Sequence, residues 1–288
     1  MIWLCLALIT AFTSATADAL TKKYLAGLNA YEMGAIRLTY TLPWLVPIMF
    51  FVPFPRIDKT FFFAVSFALP LELLAFVCYM KAIKISPLSL TLPFLAFTPV
   101  FMILTGRIIL KETLTMPGVI GIMLIVAGSY FLNIQKISGG ILGPFKAIIK
   151  EPGSLLMLLV AFLYSITSTM GKLGILHSSP AFFGIFYFCL LSLLMLFMMP
   201  LAPGMKYVRL ISRPYPSIII GMVYAAMVMS HMYAISMVNA AYMIAIKRMS
   251  LVFGVLYGAC LFEEGYFAER ITGSIVMICG VFVIVCFG

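Results

Sequence analysis

Two adjacent cations, Lys247 and Arg248, stand inside an apolar stretch, Asn239 to Glu264, that ends in two carboxylates, Glu263 and Glu264. At ~1.5 Å per helical residue, Ala240 to Phe262 reaches ~34 Å, enough for the ~30 Å hydrocarbon core of a bilayer. A Lys or Arg near the middle of such a helix costs roughly 2.5–3.5 kcal/mol on insertion scales. The pair therefore needs water, a counter-ion or a substrate, and cations in that place suit the binding of an anionic group. Read as one helix, adjacent residues point ~100° apart. Lys247 then shares a face with small residues, Ala240, Gly254 and Gly258, and is the one expected to reach a cavity. Arg248 lies nearer Leu251 and Val255 as a second partner. The alternative is that both side chains snorkel to the interface and only anchor the helix.

Glu72, two residues after Pro70, sits in the middle of another apolar segment. A midplane carboxylate is costly unless protonated or paired. It is a candidate counter-ion to Lys247 or Arg248, or a proton-coupling group. The alternative is a protonated glutamate bonded within the bundle. His231 is a candidate for substrate hydrogen bonding or proton transfer, although a lone histidine on an apolar helix is more often a packed group. Tyr224 and Tyr242 offer hydroxyls to a cavity, and Tyr233 shares that reading. Lys22 and Lys172 stand near the ends of two apolar segments and are candidates to guard cavity mouths. Glu112 and Glu264 end two further segments, where capping of helix N-termini or pairing with lysines is expected.

Positioning these residues is the task of a strongly apolar chain. Of 288 residues, 64% are hydrophobic and only 10% charged, against about 25% charged in a soluble domain. The composition is that of a polytopic membrane protein. The net charge of +10 would suggest nucleic acid in a soluble chain. Here the cations lie between apolar runs, where they anchor and orient the chain, so no nucleic-acid partner is expected. The six cysteines form no CxxC pair, and free buried thiols are expected. Two histidines in different segments make no paired-His metal motif. Phosphate-loop and dinucleotide glycine patterns are absent, so neither cofactor nor metal is expected, and no catalytic constellation marks an enzyme. The opening Met1-Ile2-Trp3 lacks the basic start of a signal peptide.

Ten apolar segments are long enough to span, roughly 2–20, 30–52, 60–83, 87–110, 116–134, 154–176, 181–201, 215–237, 240–262 and 268–287. Backbone polar groups must be satisfied inside lipid, so the spans are helices. A shift of 152 residues lays one half on the other without gaps. Ala82-Ile83 falls on Ala234-Ile235, Phe101 on Phe253, Glu112 on Glu264, Gly121 on Gly273 and Gly128 on Gly280. Five spans per half, an odd number, invert the second copy. The expected fold is an all-α polytopic membrane protein with 10 transmembrane helices as two inverted five-helix repeats. Residues 1–134 form the first repeat, 135–153 a linker and 154–288 the second. Phe145 to Glu151, inside the linker, reads as a short surface helix. Transporters commonly place a midplane site between such halves.

The stretch Ser89 to Asn133 resembles the EamA repeat of the drug/metabolite transporter superfamily. Pro99-Val100-Phe101, the Lys111-Glu112 ending, Gly121 and Gly128 carry the likeness, and Arg37 looks like that family's second-helix arginine. The second half repeats Glu263-Glu264, Gly273 and Gly280 but has Leu251 where Pro99 would fall. Lys247-Arg248 resembles the pair with which the related plastid phosphate translocators hold phosphate. The resemblance implies a 10-helix carrier of a bacterial-type inner membrane, with a central cavity worked by alternating access. Its partners are the lipid bilayer, a small-molecule substrate and a coupling ion such as a proton, or an exchange substrate. The expected substrate bears an anionic group. An exporter of neutral amino acids, a lipid-linked carrier, and a non-transporting scaffold or membrane enzyme are the rival readings. Oligomeric state and direction of transport are open. Orientation is divided. Five cations lie in connections on the termini's side and eleven on the other, which places the termini outside the cytoplasm, whereas the resemblance implies termini inside.

Overall fold

A computed structural model describes residues 1–86, 91–132, 152–198, 200, 206–262 and 267–288, without the side chains of 258–260, 262 and 267–271. Helices are the only regular secondary structure among the described residues. The first half holds α1 (Ile2–Leu25), α2 (Ala30–Thr39), α3 (Leu42–Met49), α4 (Lys59–Ile85), a 3₁₀ turn (Leu92–Phe97) running into α5 (Thr98–Ile109), and α6 (Met116–Phe131). The second holds α7 (Pro152–Leu176), α8 (Pro180–Met198), a 3₁₀ turn (Tyr207–Ile211), α9 (Pro214–Met237), α10 (Ala240–Lys247), α11 (Ser250–Phe262) and α12 (Phe267–Phe287).

Among the described residues, seven spans are long and apolar enough to cross a membrane, and Met116–Phe131 and Thr272–Phe287 are shorter apolar helices. An all-helical membrane fold is thus shown, while the expected number of ten spans is not. The expected second span, 30–52, is two short helices with a break at Tyr40 and Thr41. Pro43 explains it: its ring collides with the carbonyl four residues back, that of Thr39, and it has no N–H to donate. The linker and its expected surface helix lie almost wholly outside the described residues, as do Glu263 and Glu264.

Side-chain chemistry sets several helix starts. Asn29 and Glu32 form a reciprocal capping box on α2, and the side chains of Asp58 and Thr115 cap α4 and α6. These contacts satisfy amide donors that a helix start leaves open. At the end of α5, Lys111 takes φ 56°, a left-handed conformation costing roughly 1–2 kcal/mol. This reversal turns Glu112 inward, its amide bonded to the Gly106 carbonyl at 3.2 Å.

The packing is symmetric in kind. The most extensive helix pairs are α1 with α9, α4 with α7, and α6 with α12. Each joins a helix of one half to one of the other. In the α6–α12 pair, methyl groups on Gly121 and Gly280 would each stand 2.7–2.8 Å from the other's carbonyl oxygen, and Gly128 and Gly273 meet at 2.7 Å in the same way. Small residues let two backbones approach where no hydrophobic effect drives helices together in lipid. Large apolar side chains such as Phe63, Leu104, Ile120, Leu193 and Phe282 face outward. That surface suits lipid. The thiols are corrected as well: Cys5, Cys279 and Cys286 are free but exposed, Cys78 and Cys189 are half-buried, and the Cys260 side chain lies outside the described residues.

Candidate functional site

Polar residues that the apolar spans cannot leave in lipid gather on one cavity of about 100 Å³. Regular spacing supplies its walls. Glu72, Phe76 and Tyr79 share one face of α4. Tyr164, Ser168, Gly171 and Ile175 share a face of α7, and Tyr224, Val228, His231 and Ile235 a face of α9. Positions three, four and seven apart stack along one side of a helix. Arg37 enters from α2, Tyr187 from α8, and Lys247 and Arg248 from the junction of α10 and α11.

That junction departs from a continuous helix. α10 ends at Lys247, α11 starts at Ser250, and the amides of Arg248 and Met249 bond three residues back, to Ala245 and Ile246 at 3.0 and 2.9 Å. Both cations line the cavity at this junction, rather than Lys247 alone. In the first half, α5 likewise starts afresh at Thr98, 152 positions before Ser250, after a 3₁₀ turn. Transporter sites commonly sit at such interrupted helices.

The four cations around the cavity are held differently. Arg37 Nη1 meets Asp18 Oδ1 at 2.7 Å, with both residues below 5% exposed, and its guanidinium lies 4.1 Å over the Tyr224 ring. Tyr79 donates to the second Asp18 oxygen at 2.6 Å. Lys172 is ion-paired with Glu112 and donates to the Val238 carbonyl at 2.6 Å, while Glu112 accepts from the Ala240 amide at 2.9 Å. Arg248 donates to the Thr98 hydroxyl at 2.8 Å, and its Nε is buried without a partner. Lys247 Nζ has a single contact, His231 Nδ1 at 3.5 Å. Among the described residues no carboxylate lies within 4.0 Å of Lys247 or Arg248. Glu72 faces the same cavity but pairs with neither.

Lys247, Arg248, Glu72, His231 and Tyr224 are therefore brought together. Tyr242 is not, since its hydroxyl accepts from the Thr115 amide at 3.0 Å at the start of α6. Lys22 also stays off the cavity wall, its ammonium 3.2 Å from the Ser86 carbonyl at the end of α4. Lys172 borders the cavity, but as half of a buried ion pair rather than a free gatekeeper. Ser86 and Val238 stand 152 positions apart, so Lys22 closes on the end of α4 and Lys172 on the end of α9, equivalent places in the two halves. Glu112 both caps a helix start and pairs with a lysine, whereas Glu264 lies outside the described residues.

Sequence reasoning missed Asp18, Tyr79, Thr167 and Tyr187. For Asp18 the signal was present: a lone carboxylate in an apolar span carries the same cost as Glu72. Among the described residues, no cluster of His, Cys, Asp or Glu is placed to hold a metal ion.

Bundle and cavity define a multi-pass helical membrane protein with a polar site inside. The sequence profile of the EamA-like transporter family matches residues 1–134 and again 151–286. The chain therefore belongs to the EamA-like transporter family, within the drug/metabolite transporter superfamily. A crystal structure described only as that of a protein superposes with a TM-score of 0.69 at 13% identity, covering 98% of this chain and 99% of its own. At that identity the likeness concerns the fold alone. No curated protein matches the chain.

Proposed function

We propose that this transporter binds a small metabolite bearing an anionic group against Lys247, with Arg248 beside it, and moves it by alternating access. One observation carries this reading. Arg37 and Lys172 each have a carboxylate in contact, whereas Lys247 and Arg248 have none. Two formal positive charges with only Glu72 nearby leave the cavity short of one negative charge. A buried cation without a partner is costly, and a substrate anion removes that cost. Glu72 tunes the site or carries a coupling proton, and the energy comes from an ion gradient or from exchange. We place the protein in a bacterial-type inner membrane, with residues 1–134 and 154–288 as the two moving repeats.

Thermal stabilisation of the purified protein by anionic, zwitterionic and cationic metabolites tests the anion site, alongside Lys247→Ala. A ligand at 100 times its Kd stabilises the folded state by about 2.7 kcal/mol. Phosphorylated or carboxylate compounds are expected to stabilise the parent and not the variant. Stabilisation by cations alone, or an equal response of the variant, contradicts the reading.

A further inference from the structure

The connection from α8 to α9 mixes two chemistries. Lys206, Arg209 and Arg213 are interleaved with Tyr207, Val208, Ile211 and Tyr215, and the last three of these are 70–81% exposed. Large apolar side chains open to that extent mark a surface that meets another molecule or a membrane. The apolar strip continues along the bundle. Tyr215, Ile218, Ile219 and Met222 of α9 are exposed, as are Leu193 and Phe197 of α8. Their spacings of three and four put each set on one side of its helix, so the cationic segment stands where the lipid-facing surface ends. The cations are held from the other half. Glu32, wholly buried at the start of α2, accepts from Arg209 and from the Lys206 amide, each at 3.3 Å. Arg213 donates to the Tyr24 carbonyl at the end of α1, beside the exposed Lys23. Four cations thus meet one carboxylate, and among the described residues Lys206 and Arg213 have none within 4.0 Å. At the opposite end of the bundle, Asp58 and Glu112 are paired with His177 and Lys172.

We infer that Lys206 and Arg213, with the exposed apolar side chains between them, bind the head-group phosphate of an anionic phospholipid in the adjoining leaflet. A guanidinium presents a fork of donors that fits phosphate oxygens, and an ammonium adds a point charge. Tyrosine and aliphatic side chains beside such cations enter the boundary between head groups and acyl chains. A soluble anion would satisfy the cations but leave Val208, Ile211 and Tyr215 in water, whereas a lipid covers both. Each Lys or Arg near a charged membrane surface contributes about fivefold in affinity. The surface is separate from the central cavity, so the inference stands apart from the anion reading above.

The test uses the full chain in mild detergent, titrated with dioleoylphosphatidylglycerol or dioleoylphosphatidylcholine at matched mole fractions. Apparent affinity is read from the rise in melting temperature as lipid is added. The parent is expected to bind phosphatidylglycerol about tenfold or more tighter than phosphatidylcholine. Lys206→Gln with Arg213→Gln is expected to lose most of that preference and to respond to phosphatidylcholine as the parent does. Arg56→Gln with Lys59→Gln removes as much charge at the opposite end and is expected to keep the preference. Arg213 also holds the end of α1, so Lys206→Gln alone guards against a folding defect. Its amide still bonds Glu32, and a loss of about fivefold is expected. Equal binding of the two lipids by the parent, equal losses in the two double variants, or undiminished affinity in Lys206→Gln overturns the inference. Stabilisation by inorganic phosphate equal to that by phosphatidylglycerol overturns it as well, since it marks a site for a free anion.

Discussion

Asp18 and Arg37 show what a single residue does inside this bundle. Each is an ion buried where it cannot keep its hydration, and each is acceptable only because the other is 2.7 Å away. Removing one partner of a buried pair costs about 3–5 kcal/mol, whereas replacing both with apolar groups is often close to neutral. Asp18→Ala should lose stability of that order in thermal unfolding, and Asp18→Ala with Arg37→Met should recover most of it. Equal losses in the single and double variants would show that the pair does not act as a unit. Asp58 is a residue-scale case outside the spans. The Phe61 amide is the largest influence holding its carboxyl below the usual range, and exposed His177, 2.8 Å away, adds to it. Because the folded-state value is depressed, the contribution is present above the unfolded Asp value of about 3.9 and fades as pH falls through the folded one. The difference in melting temperature between parent and Asp58→Asn should shrink as pH falls below about 4. A gap that persists unchanged down to pH 2 would contradict this.

Breaks matter more than lengths at the scale of the helix. Pro43 ends α2, and the loosened backbone at Tyr40 needs somewhere to go. Gly221 of α9 provides it: a methyl group there would stand 2.0 Å from the Tyr40 carbonyl oxygen. Gly221→Ala should cost about 1–3 kcal/mol by overpacking, read as a fall in melting temperature. An unchanged value would mean that α2 and α9 move apart freely. The turn at Arg248 is the functional counterpart. Both Lys247 and Arg248 line the cavity there, and Arg248 is anchored on Thr98 where α5 begins.

For the whole molecule, the cluster of Lys172, Glu112, Val238 and Ala240 is the natural latch between repeats, because it joins the end of α5 to two elements of the second half. Glu112→Gln should weaken it and raise the solvent accessibility of a cysteine introduced at Ile235, which lines the cavity. The exchange Lys172→Glu with Glu112→Lys should not restore closure, despite keeping both charges. The Val238 carbonyl would lose its donor and the Ala240 amide its acceptor, each at about 1–3 kcal/mol. Full rescue by the exchange would show that charge alone holds the latch.

Composition and a 152-residue repeat were enough to determine the membrane class and the two-repeat, all-helical plan. Both depend on properties summed over many residues, and lipid admits few ways to satisfy a backbone. Glu72, Lys247, Arg248, His231 and Tyr224 were also legible, because an ionisable or polar group in an apolar span announces its cost. The tertiary structure alone decided which of these groups are free. Nothing local distinguishes Lys172, paired with Glu112 from 60 positions away, from Lys247, which has no carboxylate. Likewise, nothing local shows that the Tyr242 hydroxyl is taken by Thr115, or that Thr167 and Tyr187 stand unpartnered. Partners distant in sequence are chosen by how helices cross, and that is settled by the packing of glycines, breaks and caps against one another.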